Sequence, residues 1–336
     1  MEISVLIPVY NAEKHLEKAI KSALEISQVR EILLIEDASP DNSLNICERY
    51  SSTYDKVKLY RHGDSKNHGA ASSRNLGIKL AKYDFIAFLD ADDHYLPNRF
   101  DQDDLIFNSN KDIDFVYNAV ENYLISTNYQ EKFPRLMTLK RNVKSSELFS
   151  HLIGYGNWIG YFHLNGLTIR RSKLLSKELL FNNSLRLHQD TDFICKLSYS
   201  MKSLAGELKF PVAIRNVHLD NRITIRFKNK KIRKKNDILL FESLLKWAII
   251  KNIEPRYINF LRRSVTIRQI VKYNKALRPF MTIFEVIKDH NLVTIDKYYL
   301  YIHHSLFGNK KLSEVILTFR KFILRKTNSN AKIAHK

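Results

Sequence analysis

From Ile3 to Asp93 the sequence alternates between two hydrophobic periods, and this alternation restricts the fold more than any other feature. Short apolar runs rich in β-branched residues occur at Ile3–Val9, Glu31–Asp37, Val57–His62 and Phe85–Asp93. Between them lie segments of helical period. Leu16, Ala19, Ile20, Ala23 and Leu24 share one helix face behind Asn11 as a cap, and further helices are expected from about Asp41 to Tyr50 and from about Ala70 to Ala81. Strand, helix, strand in this order predicts an α/β fold: a doubly wound, mostly parallel sheet joined by right-handed crossovers. Its ligand crevice lies outside the carboxyl ends of the strands.

Those ends are polar. The first strand finishes in Pro8-Val9-Tyr10-Asn11, the second in Glu36-Asp37-Ala38-Ser39 and the fourth in Asp90-Ala91-Asp92-Asp93. Carboxylates from separate strands therefore converge at the close of an apolar run, where they repel one another unless a cation accompanies them. Mg²⁺ or Mn²⁺ suits the position, because hard cations take oxygen ligands and bridge to substrate phosphates. The charge distribution agrees. Residues 1–120 carry 14 Lys and Arg against 20 Asp and Glu, whereas the rest of the chain carries 41 against 15. An acidic front half suits a phosphorylated ligand only if some carboxylates hold a cation that reverses the local field.

Other classes are excluded or set aside. At 336 residues, 44% hydrophobic and 27% charged, the chain has a globular composition and not that of a disordered, collagenous or coiled-coil protein. Its two cysteines, Cys47 and Cys195, have neither CxxC nor metal-ligand spacing, which points to a reducing compartment. Acidic Glu2 and early Pro8 argue against a secretory leader, and no window approaches the ~18 apolar residues of a membrane span. The run Arg222–Asn236 holds eight cations and no acid, and is either a solvated surface or an anion contact. Beyond it Leu239, Leu240, Leu244, Leu245, Ala248 and Ile249 have helical period. In Leu312–Lys326, Val315, Ile316, Phe319, Phe322 and Ile323 share a face of a basic amphipathic helix that packs on protein or lies on a membrane. Neither a zinc-finger nor an RNP-like string accompanies the basic charge, so nucleic acid is not an expected partner.

Three strings, SVLIPVYNAEKHL, ILLIEDASPDNS and GAASSRNLGIKLAKYDFIAFLDADD, stand in this order within Ser4–Asp93. Together they resemble inverting glycosyltransferase family 2, the nucleotide-sugar transferases of the GT-A fold. The later string LHQDTDF extends the likeness to about residue 225. The resemblance implies a GT-A catalytic domain over 1–225, with a nucleotide-sugar half at 1–115 and an acceptor half at 116–225. A helical basic region follows at 226–336. It also implies a base pocket from Pro8, Tyr10, Asn11 and Asp37, with Tyr10 near the base and Asp37 accepting from its edge. Arg74 would lie near the donor's diphosphate or sugar. Asp90, Asp92 and Asp93 match the DxD signature for ribose and metal, with Asp92 or Asp93 as metal ligand and His218 a further one, Arg222 following it.

For the general base the resemblance aligns Asp190, with Gln189 where the family has Glu, and leaves Asp192 as the substitute. The implied activity is metal-dependent inverting transfer of one sugar from a nucleotide-diphosphate donor, a UDP-sugar foremost, to a hydroxyl of a lipid-linked or oligosaccharide acceptor. Its implied setting is bacterial surface polysaccharide assembly in the cytoplasm or on an anionic inner membrane face. The competing readings are a catalytically inactive relative and a basic protein that binds nucleic acid or other anions.

Overall fold

The computed structural model describes residues 1–124, 134–217 and 230–272. The chain divides into two compact units, Met1–Leu261 and Arg262–Lys336, and the site discussed below lies wholly in the first.

Four consecutive strands pair in parallel on one side of the sheet: β1 (Ile3–Val9), β2 (Val29–Glu36), β3 (Val57–Arg61) and β4 (Phe85–Phe88). Helices α1 (Leu16–Leu24), α2 (Ser43–Thr53) and α3 (Ala70–Leu80) connect them. Side chains alternate along each strand, and both faces of β1, β2 and β4 are buried, while the edge strand β3 is partly exposed. Ile3, Val5, Ile7 and Val9 join Ile32 and Leu34 in one core with Leu16, Ala19 and Ile20 of α1 and Ile46 and Cys47 of α2. Leu6, Leu33 and Ile35 join Ala71 and Ile78 of α3 in the other. A Cβ at Gly77 would come within 3.2 Å of the Leu6 side chain, so glycine lets α3 lie close on the sheet.

The expected elements differ in two details. Helix α1 starts at Leu16 with His15 as its cap residue, while Asn11 sits at φ 52° in the turn before it and does not cap the helix. The apolar run from Phe85 is strand only to Phe88. It then turns and pairs again as β5 (His94–Tyr95), because three aspartates in five residues cannot remain in a buried strand.

After α4 (Asp101–Ser109) come β6 (Phe115–Tyr117), β7 (Val120–Leu124), β8 (Leu136–Met137), α5 (Ser145–Ile153) and β9 (Leu167–Arg170). Then follow α6 (Arg171–Ser176), α7 (Gln189–Ser200), β10 (Ser203–Ala205), β11 (Ala213–Val217), α8 (Lys230–Ile250) and α9 (Pro255–Lys272). Among the described residues the main sheet has seven strands in the order β10-β6-β9-β4-β1-β2-β3, with β9 antiparallel to both neighbours. A four-stranded sheet, β5-β11-β7-β8, stands beside it. Strand order reverses between β1 and β4, and the acidic turn lies at that switch point.

The boundary expected near residue 225 falls among residues outside those described, and the first unit runs on to Leu261. Within that unit Leu240, Leu244 and Ala248 of α8 are buried with Phe149 of α5, Cys195 of α7 and Tyr257. Among the described residues no helix is long and apolar enough to cross a membrane.

Beneath the acidic turn lies a buried ion pair. Arg99, immediately before α4, donates from Nη1 to Asp103 Oδ2 at 2.9 Å. Its Nε donates to Asn165 O at 2.8 Å and its Nη2 to Leu167 O at 2.9 Å. The remaining valences of Asp103 take Asn118 Nδ2 at 2.8 Å and Thr168 Oγ1 at 2.5 Å. Every charge here is hydrogen-bonded, so losing one partner strands the other in the core. Replacing Arg99 by Met is expected to lower stability by about 3–5 kcal/mol, read by urea unfolding. Arg99→Met combined with Asp103→Leu should cost less than the sum of the single changes.

Candidate active site

The acidic turn is built by backbone first. Leu89 N–H donates to Leu6 O at 3.0 Å, holding the chain on β1, and Asp93 N–H donates to Asp90 O at 3.0 Å, closing the turn. Asp93 is thereby carried into the interior, at 2% exposure. Its Oδ2 accepts from Asn165 Nδ2 at 2.6 Å and its Oδ1 from Asn216 N–H at 2.8 Å, while Asn216 Nδ2 holds Asp92 O at 2.5 Å. Burial, and then the charges of Asp92 and Asp90, push the Asp93 carboxyl well above the usual range. Burial also pulls Asp90 upward, but Arg74, His163 and Arg215 together hold it below the ordinary value. Two neighbouring carboxylates are thus driven apart by burial and by their unequal charged neighbours.

Ligand atoms of Asp90, Asp93 and His163 all lie within 4.8 Å of one another. Burial, with Arg215 nearby, pushes the His163 imidazole down to about 4, so the ring is neutral at physiological pH. Its Nδ1 accepts from Asn165 N–H at 3.3 Å, which places the ring proton on Nε2. Ligation through Nε2 would require that proton to move to Nδ1 at the expense of this bond. The donor set, two carboxylates and one imidazole, suits Mn²⁺ or Mg²⁺, and a cation would relieve the repulsion that raises Asp93. Of the expected metal ligands, Asp93 is in this cluster. Asp92 is outside it, although its charge reaches Asp93, and His218 and Arg222 lie outside the described residues.

Arg74 joins this turn to the other half of the site. It stands in the second turn of α3 at 4% exposure, where Nη2 donates to Asp90 Oδ1 at 2.5 Å and Nη1 to Asp190 Oδ1 at 2.9 Å. Its Cζ lies 5.3 Å from the centroid of the Phe181 ring. Nε is buried and has no hydrogen-bond partner among the described residues. One guanidinium therefore gathers a carboxylate of the DxD turn and the carboxylate aligned with the general base.

Asp190 occupies the first turn of α7, where the helix dipole favours an anion. Its side chain is 35% exposed, and among the described residues its Oδ2 makes no hydrogen bond. Gln189 turns back to donate to Leu185 O at 2.5 Å. Asp192, the substitute base, is corrected by its surroundings: the side chain is fully buried. Its Oδ2 accepts from Lys196 Nζ at 2.5 Å and its Oδ1 from Ser243 Oγ at 2.7 Å. It joins α7 to α8.

At the carboxyl ends of β1 and β2 Tyr10 is exposed beyond β1 and Pro8 is half-buried. Asn11 N–H donates to Ser39 Oγ at 3.2 Å. Asp37, expected as an open acceptor, has both oxygens engaged. Oδ1 accepts from His68 N–H and Oδ2 from Gly69 N–H, each at 2.7 Å, so the carboxylate pins the turn that opens α3. Reading by residue type overlooks His163, Asn165, Arg215 and Asn216. Arg215 and Asn216 stand in RNVHLDNRITI, just before the His singled out there. His163 and Asn165 stand in HLNG, whose polar alternation and glycine are the available signal.

Comparison with known proteins gives a consistent family likeness. Residues 4–140 match the family model described as glycosyl transferase family 2. An uncharacterized glycosyltransferase of Haemophilus influenzae is 42% identical over 92 residues, covering 27% of this chain and 36% of that protein. The minor teichoic acid biosynthesis protein GgaA of Bacillus subtilis is 27% identical over 207 residues, covering 58% and 42%. The chain spans about a third of the length of the first curated relatives it matches. Among solved structures, S. aureus TarS 1-349 in complex with UDP superposes with a TM-score of 0.58 at 14% identity, covering 96% of this chain and 92% of that one. TarS has also been solved with UDP-GlcNAc. The mannosyltransferase PcManGT of Pyrobaculum calidifontis, with GDP-Man and Mn²⁺, gives 0.52 at 14%, covering 98% and 87%. At these identities the likeness is one of fold.

The neutral His163 gives a pH signature. Its folded value, about 4, lies below the ordinary 6.5. Between those values the unfolded chain binds a proton that the folded chain excludes, so stability falls as pH drops through this window. The contribution reaches at most about 1.4 kcal/mol per pH unit. His163→Gln should remove it, read as a flatter dependence of the urea midpoint on pH between 6.5 and 4 than in the unsubstituted protein.

Proposed function

We propose that this chain, whose residues 4–140 match glycosyltransferase family 2 and whose fold is that of GT-A enzymes, transfers a sugar from a nucleotide-diphosphate donor to a hydroxyl acceptor during bacterial surface polysaccharide assembly. The observation that carries the reading is the double ion pair of Arg74, which draws Asp90 and Asp190 to one guanidinium. The nucleotide ligands of TarS and PcManGT support a nucleotide-sugar donor, with a UDP-sugar first among them. The relationship to a teichoic acid protein supports the polymer setting. In this reading the acceptor is a lipid-linked or free oligosaccharide.

The base pocket is assigned to Pro8, Tyr10, Asn11 and Asp37. Tyr10 offers an exposed ring for stacking, and Asp37 acts chiefly by fixing the loop ahead of α3. Mn²⁺ or Mg²⁺ held by Asp90 and Asp93, with Asp92 and His163 at the margin, would neutralise the diphosphate as it gains charge on leaving. Asp190 supplies the base. Its Oδ2 takes the proton of the acceptor hydroxyl, whose oxygen forms the new bond at the anomeric carbon as the bond to the diphosphate breaks on the opposite face. Arg74 keeps Oδ1 occupied and so aims Oδ2 outward. The product has inverted configuration.

Asp190→Asn should lower kcat about 10²-fold or more, with the donor KM changed little. EDTA should abolish turnover, and Mn²⁺ should restore it. Steady-state kinetics with a UDP-sugar panel and NMR of the product anomer check this; full activity in Asp190→Asn, or a retained anomer, sinks the reading.

The basic rear of the chain is assigned to an anionic membrane face, in the cytoplasm. Residues beyond 120 hold 41 cations against 15 acids, and α8 opens with Lys230, Lys231, Arg233, Lys234 and Lys235. Each such residue gains about 1 kcal/mol near anionic lipid, and the attraction is screened over about 8 Å at physiological salt. Co-sedimentation with phosphatidylglycerol vesicles should therefore exceed that with phosphatidylcholine and fade as salt rises. Equal, negligible pelleting with both lipids overturns this assignment.

A further inference from the structure

Each member of the Asp90, Asp93 and His163 cluster is held by one residue that belongs to none of the expected motifs. Asn165 is fully buried in the short turn, Leu164–Gly166, that leads into β9. Its Oδ1 accepts from Asp90 N–H at 3.2 Å, its Nδ2 donates to Asp93 Oδ2 at 2.6 Å, and its own N–H donates to His163 Nδ1 at 3.3 Å. The fourth polar group, its carbonyl, accepts from Arg99 Nε at 2.8 Å and so rests on the buried pair with Asp103. All the backbone and side-chain polarity of one asparagine is spent on the cluster and its foundation.

The chemistry at this position is restrictive. Asp90 presents a donor and Asp93 an acceptor, and a primary amide meets both within one short side chain. An ionised aspartate could not donate to Asp93, and leucine would leave both groups unpaired in the interior. The backbone next to it is equally confined. A Cβ at Gly166 would meet Asn118 O at 2.5 Å, so the turn that delivers Asn165 requires glycine after it.

We propose that Asn165 is the positioning residue of the cation site, its side chain fixing the Asp93 carboxylate against the backbone of Asp90 before donor and metal arrive. This rests on the reading that Asp90 and Asp93 hold a divalent cation. Partners that orient metal ligands commonly contribute 10- to 100-fold in metal affinity, and the Asn165 side chain holds two of the cluster's residues, Asp90 and Asp93.

The test uses the full chain and its Asn165→Ala, Asn165→Ser and Asp93→Asn variants, each checked for folding by circular dichroism and melting. Mn²⁺ binding in the presence of UDP is read from the loss of the free-ion paramagnetic resonance signal, and UDP binding in EDTA by calorimetry. Asn165→Ala should weaken Mn²⁺ about 10- to 100-fold while UDP affinity in EDTA stays within about 2-fold, because the base pocket lies on other elements. Asn165→Ser keeps one polar atom and should fall between Ala and the unsubstituted chain; it decides the matter where the Ala variant does not fold.

Unchanged Mn²⁺ affinity in the Asn165 variants, with Mn²⁺ lost in Asp93→Asn, overturns the proposal and leaves the cation reading standing. Parallel loss of UDP and Mn²⁺ binding overturns it in favour of a purely structural role. No Mn²⁺ bound by the unsubstituted chain overturns the cation reading and the proposal together.

Discussion

Negative charge gathered where burial opposes it is the constraint on which this molecule turns. Asp90 and Asp93 follow an apolar strand into the interior, and Asp190 faces them from a helix a hundred residues later. Left alone, such carboxylates would protonate or open the fold. The chain answers with a buried guanidinium, Arg74, and with neutral amides at Asn165 and Asn216. The arrangement is partly compensated, since Asp93 still stands well above its ordinary range. A site that keeps a residual excess of negative potential is prepared for a cation, whereas full neutralisation by protein would leave nothing for one to do.

The parallel half of the fold was legible because the sheet has helices on both faces and its central strands β1 and β4 are apolar. Ile3–Val9 and Val29–Glu36 announce themselves by content, and the helices between them by period. Asp90, Asp92 and Asp93 were legible as a group because charge at the end of such a strand demands a reason. Legibility failed where the answer depends on contacts distant in sequence. His163 and Asn165 reach the acidic turn through the antiparallel insertion of β9 beside β4, and no local pattern foretells that neighbour.

Two misreadings were local. Asn11 has the residue type of a cap, but the chain needs one more turn before α1, and Asn11 takes the left-handed conformation that asparagine tolerates. Asp192 looked equivalent to Asp190 by type. Lys196 stands four residues on, the spacing at which helix side chains meet, and that pair draws Asp192 into the packing between α7 and α8. Adjacent acids on one helix thus have opposite fates, decided by which side of the helix each occupies.

The link between α7 and α8 bears on how such enzymes can be recombined. Asp192 to Ser243, Asn182 to Ser243, and His188 Nε2 to Asp237 Oδ1 at 3.0 Å fasten α8 to the helix that carries Asp190, to its cap residue and to the loop that precedes it. A chimera joined at residue 225 would leave a lysine and an aspartate of α7 facing a foreign surface. The natural unit of exchange runs through α8 to Leu261. Exchange of segments between such chains therefore has to carry that helix along with α7.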